Sequence, residues 1–412
     1  MTADELPEMA TPPADTTESG SADRAGSADR AEPADRDEHA ELTGRPGSPL
    51  PRVQVGSPGA VLAVVPHLLG FHPSHSLVVL GVRGRRDQVC LAFRYDLPDP
   101  PDAELSADIA AHACAVLDGQ EIPAAIVIGY GAAEPVSQAV DPVIDAMMTA
   151  GVEILEVLRA EGGRYWSVLC DDPGCCPAEG RSFDPCSHPV AAVLNEAGLG
   201  TYPDRAALAR TLEPAPGSAK VIRQATSRAL RRVDTLITAA NQGGTDPAAA
   251  LAGAGRRAVR QAIRQYRAGA AITSPGRLAF LAVALADLRV RDDAWARMDP
   301  QYRACHVRLW TDVVTSAAPE FVPAPAALLA FTAWQSGEGA LANVAVERAL
   351  AADPAYTMAL LIGQAVQAGL PPSAARLPMT PSEVEASYSA ARPPARPARR
   401  RSPRRGRKST RR

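Results

Sequence analysis

The sequence has few aromatic residues and almost no lysine. Phe, Trp and Tyr make up 4% of its 412 residues, and Lys220 and Lys408 are its only lysines. Alanine, glycine, proline and arginine are abundant instead and share GC-rich codons, so we attribute the bias mainly to a GC-rich genome. The apolar fraction of 46% lies in the globular range, and a hydrophobic core can therefore form despite the scarcity of rings.

The sequence also lacks long apolar runs. Its longest apolar stretches, 59–71 and 278–288, are shorter than the roughly 20 residues that cross a bilayer. The acidic first residues contain neither the positive nor the apolar region of a secretory signal. Seven cysteines in an intracellular chain argue against a structural disulfide framework. We therefore expect a cytoplasmic protein that does not associate with a membrane.

Composition divides the chain into four parts. Residues 1–50 are acidic and contain three copies of a six-residue unit, starting at Ser21, Ser27 and Pro33, without a large apolar side chain to offset the entropy of ordering. The end of the chain is rich in Pro and then in Arg. We predict disordered tails over 1–50 and 371–412, an α/β domain over 51–200 and an all-helical domain over 201–370.

The segment 51–200 alternates strand patterns with helix patterns. Ser57-Pro58 provides an N-cap and a first-turn proline before an apolar run. Buried or alternating segments predict strands, and 3.6-residue apolar spacing predicts helices. The strands are expected at 77–82, 89–95, 125–129, 154–159 and 165–169, and further helices at 102–117 and 136–149. This order predicts an α/β or α+β domain with a mostly parallel or mixed sheet.

Beyond residue 201 the strand pattern stops. Alanine-rich segments bounded by Gly, Pro or Asp-Pro predict helices at 203–212, 219–241, 246–269, 275–286, 292–317, 324–336, 339–352 and 354–369. Trp334, Gly337 and Asp353-Pro354 lie where a tetratricopeptide-like helical hairpin places its packing residues. One copy is present, whereas arrays need about three. We expect an all-α domain that ends in this hairpin and binds a protein partner.

Three blocks in order along the chain resemble one known family. They are 53–79, which contains Pro66-His-Leu-Leu-Gly-Phe-His-Pro73, 166–180, which contains Cys170-Asp-Asp-Pro-Gly-Cys-Cys176, and 339–354. The blocks are similar to those of an actinobacterial family known as domain of unknown function 4192. The resemblance covers roughly residues 52–370. It implies an α/β part followed by a helical part and no established activity.

A cysteine cluster is the densest group of potential metal ligands, and it comprises Cys170, Cys175, Cys176, Cys186 and His188. Thiolates and imidazoles bind zinc tetrahedrally, and structural sites usually use pairs two to four residues apart, a spacing that this cluster matches only in part. Three interpretations stay open: bound zinc, a redox-labile disulfide from Cys170 to Cys175 or Cys176, and reduced thiols in a turn. No other cofactor is indicated.

Three histidines form a second polar group. His67, His72 and His75 fall on the expected connection between the first helix and the first strand. Imidazoles there can bind a ligand such as phosphate or transfer protons. No carboxylate or nucleophile accompanies them in the sequence, so we favour a role in capping and hydrogen-bonding the connection.

Arginines at the C-terminal end suggest nucleic acid as a further partner. They include Arg399, Arg400, Arg401, Arg404, Arg405 and Arg407. Such a segment binds phosphate backbones through counterion release, without sequence preference. Interleaved aromatic residues for base stacking are missing from the segment. A chain truncated after Pro371 that keeps its salt-dependent DNA binding would contradict this hypothesis.

No set of residues combines a nucleophile, a base and a group that orients the base, so we assign no catalytic residue. The sequence favours a non-enzymatic regulatory or adaptor protein that binds a protein partner or a small ligand. One alternative is a metal- or thiol-dependent enzyme that uses the cluster from Cys170 to His188. The other is a protein that associates with nucleic acid through its C-terminal arginines.

Overall fold

The computed structural model describes residues 57–84, 88–375 and 379–390. For residues 389 and 390 it describes the main chain only. The acidic segment predicted to be disordered over 1–50 lies outside the described residues. So do the C-terminal arginines proposed to bind nucleic acid.

A six-stranded mixed sheet occupies the N-terminal part. Its strands are β1 Ser76–Arg83, β2 Gln88–Asp96, β3 Ala124–Tyr130, β4 Glu153–Glu161, β5 Arg164–Ser167 and β6 Arg181–Ser182. Their order is β2-β1-β3-β4-β5-β6, so β2 lies at one edge. Of the five strand pairs, β3 with β4 is parallel and the others are antiparallel. The expected mixed sheet is confirmed, and the mostly parallel alternative is wrong.

Helices cover both faces of the sheet. They are α1 Pro58–Leu69 on one face and α2 Ala103–Gly119 and α3 Ala133–Thr149 on the other, while α4 Pro189–Glu196 packs against α1. In β1, Val78 and Leu80 pack into the cluster that contains α1, whereas Leu77 and Val79 pack with α2 and α3. Because neighbouring side chains of a strand point to opposite faces, a strand covered on both sides needs an unbroken apolar run. This explains the unbroken apolar run of β1 between its polar end residues Ser76 and Arg83.

Nine further helices make up the region from 205 to 367. They are α5 Arg205–Arg210, α6 Ala219–Gln242, α7 Pro247–Arg267, α8 Pro275–Ala284, α9 Leu288–Trp295, α10 Arg303–Thr315, α11 Pro323–Gln335, α12 Gly339–Ala352 and α13 Thr357–Gln367. Many begin after an Asp or at a Pro, as expected of N-terminal caps. No described helix is long and apolar enough to cross a membrane.

The single helix predicted over 292–317 is wrong. The chain forms α9 and α10 instead, joined by a 3₁₀ turn at Pro300–Tyr302. Pro300 lacks an amide hydrogen, and its ring disfavours helical backbone at Asp299, so an α-helix cannot run through this point. Asp299 caps the turn, because its side chain accepts the N–H of Gln301 at 3.0 Å.

One hydrophobic core runs through both the sheet part and the helical region. The cluster that contains α1 and the even-numbered face of β1 continues into Trp310, Leu329 and other residues of the later helices. The face of the sheet beside α1 is therefore covered by the helical region, while α2 and α3 cover the opposite face.

The structure corrects part of the expected C-terminal disorder. Within the segment 371–412, helix α14 spans Pro381–Ala390. Val384 is buried, and the hydroxyl of Tyr388 donates a 2.5 Å hydrogen bond to Asp292 on α9. Thr380 begins the helix, since its main-chain N–H and its hydroxyl both donate to Glu383. A capping box of this kind in a Pro-rich segment is a local signal that the compositional argument overlooked.

Candidate functional site

A cleft of about 610 Å³ lies between the edge of the sheet and the helical region. Its inner wall consists of β2 together with parts of α1 and α2, and its outer wall comes from the ends of α11 and α13 and the start of α12. The outer wall contains Trp334, Ala340, Asn343, Val366 and Leu370. The volume falls in the range of typical ligand sites, which are mostly apolar with a few polar groups.

Strand β2 presents its free edge to this cleft. Six consecutive residues, 90–95, line it, so side chains from both faces of the strand border the same space. Cys90 is the extra residue of a β-bulge, because Val89 and Leu91 pair with the adjacent residues Val82 and Gly81. No described residue outside β1 hydrogen-bonds the main chain of 91–95. The outward N–H and C=O groups of this segment are therefore available to a ligand.

Three arginines border the cleft, and no acidic residue does among its described lining residues. Arg94 makes contacts with three neighbouring side chains. Its Nε donates to Ser76 Oγ at 2.7 Å, its Nη2 pairs with Asp96 at 2.5 Å, and its guanidinium lies 5.8 Å from the centroid of Phe71. Only 14% of the Arg94 side chain is exposed. A positive charge is therefore held in place against an apolar surface.

The other two arginines lie on either side of β2. Arg205, at the start of α5, pairs with Glu347 of α12 at 2.5 Å. Arg83, at the end of β1, donates to the main-chain oxygens of Gln120 and Glu121 after α2. Arg94 is opposite Val78 in β1, so Arg83 and Arg94 are separated by five residues of strand, about 17 Å. The cleft is therefore elongated along β2, with positive charge near both ends.

An aromatic group forms the side of the cleft beside α2. The rings of Phe93 and Tyr95, and of Tyr95 and His112, meet edge to face at 5.7 Å. Burial raises the pKa of Tyr95, with a smaller contribution from Cys114, so the hydroxyl stays protonated. The hydroxyl oxygen lies 2.5 Å from His112 Nδ1, within hydrogen-bond distance. These contacts hold Tyr95 and His112 in one arrangement before a ligand arrives.

The outer wall is fixed to the sheet part at Gly369. A Cβ atom on this residue would lie 2.5 Å from a methyl carbon of Val116 in α2. Gly369 also has a φ of +63°, which disfavours other residues. Next to it, Trp334 Nε1 donates to the main-chain oxygen of Leu370 at 2.9 Å. The end of α13 is therefore seated on α2, and the width of the cleft is set by direct contact.

The side chains of two of the three histidines are hydrogen-bonded near the first helix and strand. His67 lies in the last turn of α1 rather than on the connection, and its Nδ1 is 2.6 Å from the oxygen of Leu199. His72 Nε2 lies 3.2 Å from Thr201 Oγ1. Burial lowers the pKa of His72, and the neighbouring His67 lowers it further, while Asp184 opposes both.

His75 belongs to the same connection through its main chain. Its carbonyl accepts the N–H of Leu97 at 3.1 Å, and its φ is +48°. His72 is likewise held by its main chain, since its N–H donates to Tyr202. The three histidines therefore link the end of α1 to the segments at 97 and 199–202.

The cysteine cluster is smaller than the sequence suggested. The sulfur atoms of Cys170, Cys175 and Cys176 lie within 4.8 Å of one another. Cys186 and His188 lie outside this group. The N–H of Cys186 donates to Asp184, and His188 caps α4 by accepting the N–H of Val190 at 3.3 Å. The adjacent cysteines Cys175 and Cys176 both bring their sulfur atoms close to that of Cys170.

Hydrogen bonds within this group separate the pKa values of its thiols. The main-chain N–H of Asp172 donates to the Cys170 sulfur, and this bond, together with one from Cys176, lowers the pKa of Cys170. Donation to Cys170 raises the pKa of Cys176 to about 11, and burial adds to the effect. Cys170 therefore becomes a thiolate before Cys176 does.

Sequence patterns did not identify the cleft. The alternation of Leu91, Phe93 and Tyr95 predicted a strand but could not show that β2 is an edge strand facing α12 and α13. The pattern around Trp334 indicates only a packing residue of a helical hairpin. A stripe of apolar side chains next to Arg94 is the one local signal, and it is common on half-buried strands.

Comparison with protein families identifies a match that covers most of the chain. A family model described as a domain of unknown function (DUF4192) matches residues 58–373. The matched segment contains both walls of the cleft and the three converging cysteines. No curated protein and no solved structure matches the chain.

Proposed function

The chain belongs to the family of the domain of unknown function DUF4192. We propose that it is a non-enzymatic adaptor that binds an extended segment of a partner protein in the cleft along β2. The observation that carries the proposal is the free main-chain edge of residues 91–95 inside a mostly apolar cleft. Extended peptides bind such edges as an additional strand, with affinity from main-chain hydrogen bonds and specificity from side-chain pockets.

The two faces of β2 supply different pockets for such a peptide. Leu91, Phe93 and Tyr95 point toward α2, whereas Ala92 and Arg94 point toward α1. An added strand would present alternate side chains to these two sides in the same way. The side toward α2 suits apolar or aromatic residues, and the side toward α1 suits an acidic residue beside a small one.

Charge further restricts the partner. Arg83, Arg94 and Arg205 border the cleft without an acidic residue among its described lining residues. The distance of about 17 Å between Arg83 and Arg94 along the strand matches roughly five residues of extended chain. The favoured partner is therefore a segment of about five residues with apolar side chains in its middle and acidic groups toward its ends.

The helical region has a defined part in this proposal. The start of α12 and the end of α13 close the cleft from outside, and both belong to the segment that is similar to a tetratricopeptide hairpin. A single helical hairpin of this kind then serves as the lid of a strand-binding site rather than as one unit of an array. In this proposal the helices that we expect to bind a protein partner do so together with the free edge of β2.

Selection from a random peptide library displayed on phage tests the proposal. The full-length protein is the bait, and enriched peptides are synthesised and their affinities measured by calorimetry. We expect apolar residues at alternate positions and flanking acidic residues. Methylation of single peptide nitrogens should then weaken binding more than tenfold at every second residue, because those N–H groups would face β2. Amide exchange at 91–95 should slow when the peptide is bound.

Matched tryptophan substitutions locate the binding site. Asn343→Trp places a large ring in the cleft, whereas Leu361→Trp adds the same ring at a position of α13 that is 61% exposed and does not line the cleft. Peptide affinity should fall for the first variant and stay unchanged for the second. Selected peptides that tolerate methylation at every nitrogen, or binding that N343W leaves intact, would contradict strand addition. A library that yields no enriched peptide would also contradict the proposal.

A further inference from the structure

The cysteines that converge beside β5 form a second site, away from the cleft. Cys170 follows β5, and Cys175 and Cys176 lie on the turn that leads to β6. Their sulfur atoms are within 4.8 Å of one another, and all seven cysteines of the chain are reduced. In a tetrahedral zinc site with Zn–S bonds of about 2.3 Å, neighbouring sulfur atoms are about 3.8 Å apart. Small movements of the side chains are enough to reach that spacing.

The turn that carries Cys175 and Cys176 is held firmly on the sheet. Trp166 of β5 donates from Nε1 to the oxygen of Ala178 at 3.0 Å, and its ring leaves no space for a side chain at residue 180, where a Cβ would lie 2.5 Å away. Gly180 also has a φ of +76°. Arg164 donates to the oxygen of Gly180 at 2.9 Å. The position of the turn is therefore set before any ion binds.

Main-chain hydrogen bonds within the turn direct the cysteines toward one another. The N–H groups of Cys175 and Cys176 both donate to the oxygen of Asp172, at 3.1 and 2.7 Å. The Asp172 carboxylate accepts the N–H of Gly174 at 2.9 Å and so stays on its own turn. This tight turn places the two adjacent thiols on the side of Cys170.

Positive charge lies next to the group. Arg181 Nε donates to the oxygen of Cys175 at 2.5 Å. Three thiolates around one divalent cation carry a net charge of −1, and a guanidinium at this position offsets it. Hydrophobic packing does not explain why the three thiols lie close together, since Cys175 is exposed. Val168 and Leu169, which precede the cluster, are each 54% exposed as well. A bound cation that prefers thiolate ligands would account for the convergence of three thiols on a solvent-facing turn.

We propose that Cys170, Cys175 and Cys176 bind one zinc ion through three thiolates, with a fourth position open to solvent. On binding, the thiols release their protons to solvent and three sulfur–zinc bonds form. The open position follows from the described residues, because no further histidine, cysteine or carboxylate joins the three sulfur atoms in one group. Such a site differs from closed structural zinc sites with four protein ligands and leaves room for a water molecule or a partner's ligand.

The experiment uses the full chain purified under reducing conditions without a metal-affinity tag. Protein stripped with a chelator receives zinc chloride, is dialysed, and is measured by elemental mass spectrometry. We expect about one zinc per chain. Cadmium in place of zinc should produce the ultraviolet absorption of thiolate–cadmium bonds, with an intensity that corresponds to three thiolates.

Substitutions assign the ligands. Cys170→Ser and Cys176→Ser should each lower zinc affinity at least tenfold. Cys186→Ser is the matched control, because Cys186 is also an exposed cysteine and follows Cys176 by ten residues. This control substitution should leave zinc affinity unchanged. Alkylation followed by peptide mapping provides a test that needs no variant. Zinc should protect Cys170, Cys175 and Cys176 from alkylation and leave Cys186 reactive.

Two results would overturn the proposal. One is a protein that retains no zinc and in which zinc does not alter the alkylation of the three cysteines. The other is zinc that C186S removes as effectively as C170S does, which would place the ion elsewhere. In the first of these cases, recovery of a disulfide between Cys170 and either neighbour would identify a redox pair in place of the zinc site.

Discussion

His306 should make the stability of the fold depend on pH between neutral and moderately acidic conditions. It lies on α10 with 1% of its surface exposed. Its Nε2 accepts the N–H of Asp299 at 3.4 Å, so the neutral imidazole is the form that the fold accommodates. Burial lowers the pKa of His306 to about 4, and the nearby Arg267 contributes, whereas Asp299 opposes the change.

The sign of the effect follows from proton binding. An imidazole in the unfolded chain titrates near 6.5, whereas in the folded protein it titrates near 4. Between these values the unfolded state binds more protons, so the free energy of unfolding falls as the pH is lowered. Each pH unit below 6.5 costs about 1.4 kcal/mol, which amounts to about 2 kcal/mol at pH 5 and about 3 kcal/mol at pH 4.

Urea unfolding of the native protein and of His306→Gln, each at pH 7 and pH 5, measures this contribution. Tryptophan fluorescence is a suitable probe, because Trp310 lies on the same helix. The substitution lowers stability at pH 7 through lost packing, but the native protein should lose about 2 kcal/mol more than the variant on going to pH 5. Equal losses for the two proteins would refute the assignment of this titration to His306.

Two further predictions concern contacts inside the helical region and at its junction with the sheet. Gly369→Ala should destabilise the protein by about 2–4 kcal/mol in urea unfolding, because it combines a left-handed backbone with a clash against Val116. The double variant with Val116→Ala should recover part of this loss of stability. No recovery would contradict the clash. Asp293→Asn should cost about 2–4 kcal/mol at pH 7, since the 1% exposed carboxylate binds both Arg260 and Arg297. Burial alone would raise the pKa of Asp293, but hydrogen bonds from these arginines outweigh it and lower the pKa, so its stabilisation is present above about pH 4 and is lost on further acidification. A penalty for D293N that is the same at pH 3 and pH 7 would rule out this charge-based account.

The candidate sites differ in how much of them could be expected from sequence. Cys170, Cys175 and Cys176 are close in the chain, so their spacing alone marked a cluster, and a local turn at Asp172 brings them together. Cys186 was grouped with them by proximity in sequence, but the chain between carries it through β6 and away from the turn. Spacing could not show this, because the direction of the chain after Gly180 depends on its contact with Trp166.

The cleft could not be expected at all from the sequence. Tyr95 and Trp334 are far apart in the chain, and nothing near either residue indicates that both border one space. Their proximity depends on the seating of α13 on α2, where Gly369 meets Val116. A small residue after a helix is usually a C-cap, so its contact with another element has no local signature.

The sequence by itself determined most of the helices and strands. Ser57-Pro58 begins α1, Asp246-Pro247 begins α7, and the unbroken apolar run of β1 requires a strand covered on both faces. Capping, backbone restriction by proline and side-chain periodicity act over a few residues and can be identified locally. The tertiary structure alone decided that β2 is an edge strand, that the sheet is mostly antiparallel, and that α12 and α13 close a cleft over β2. These features depend on which distant apolar surfaces bury each other most favourably, and that choice is a property of the whole chain.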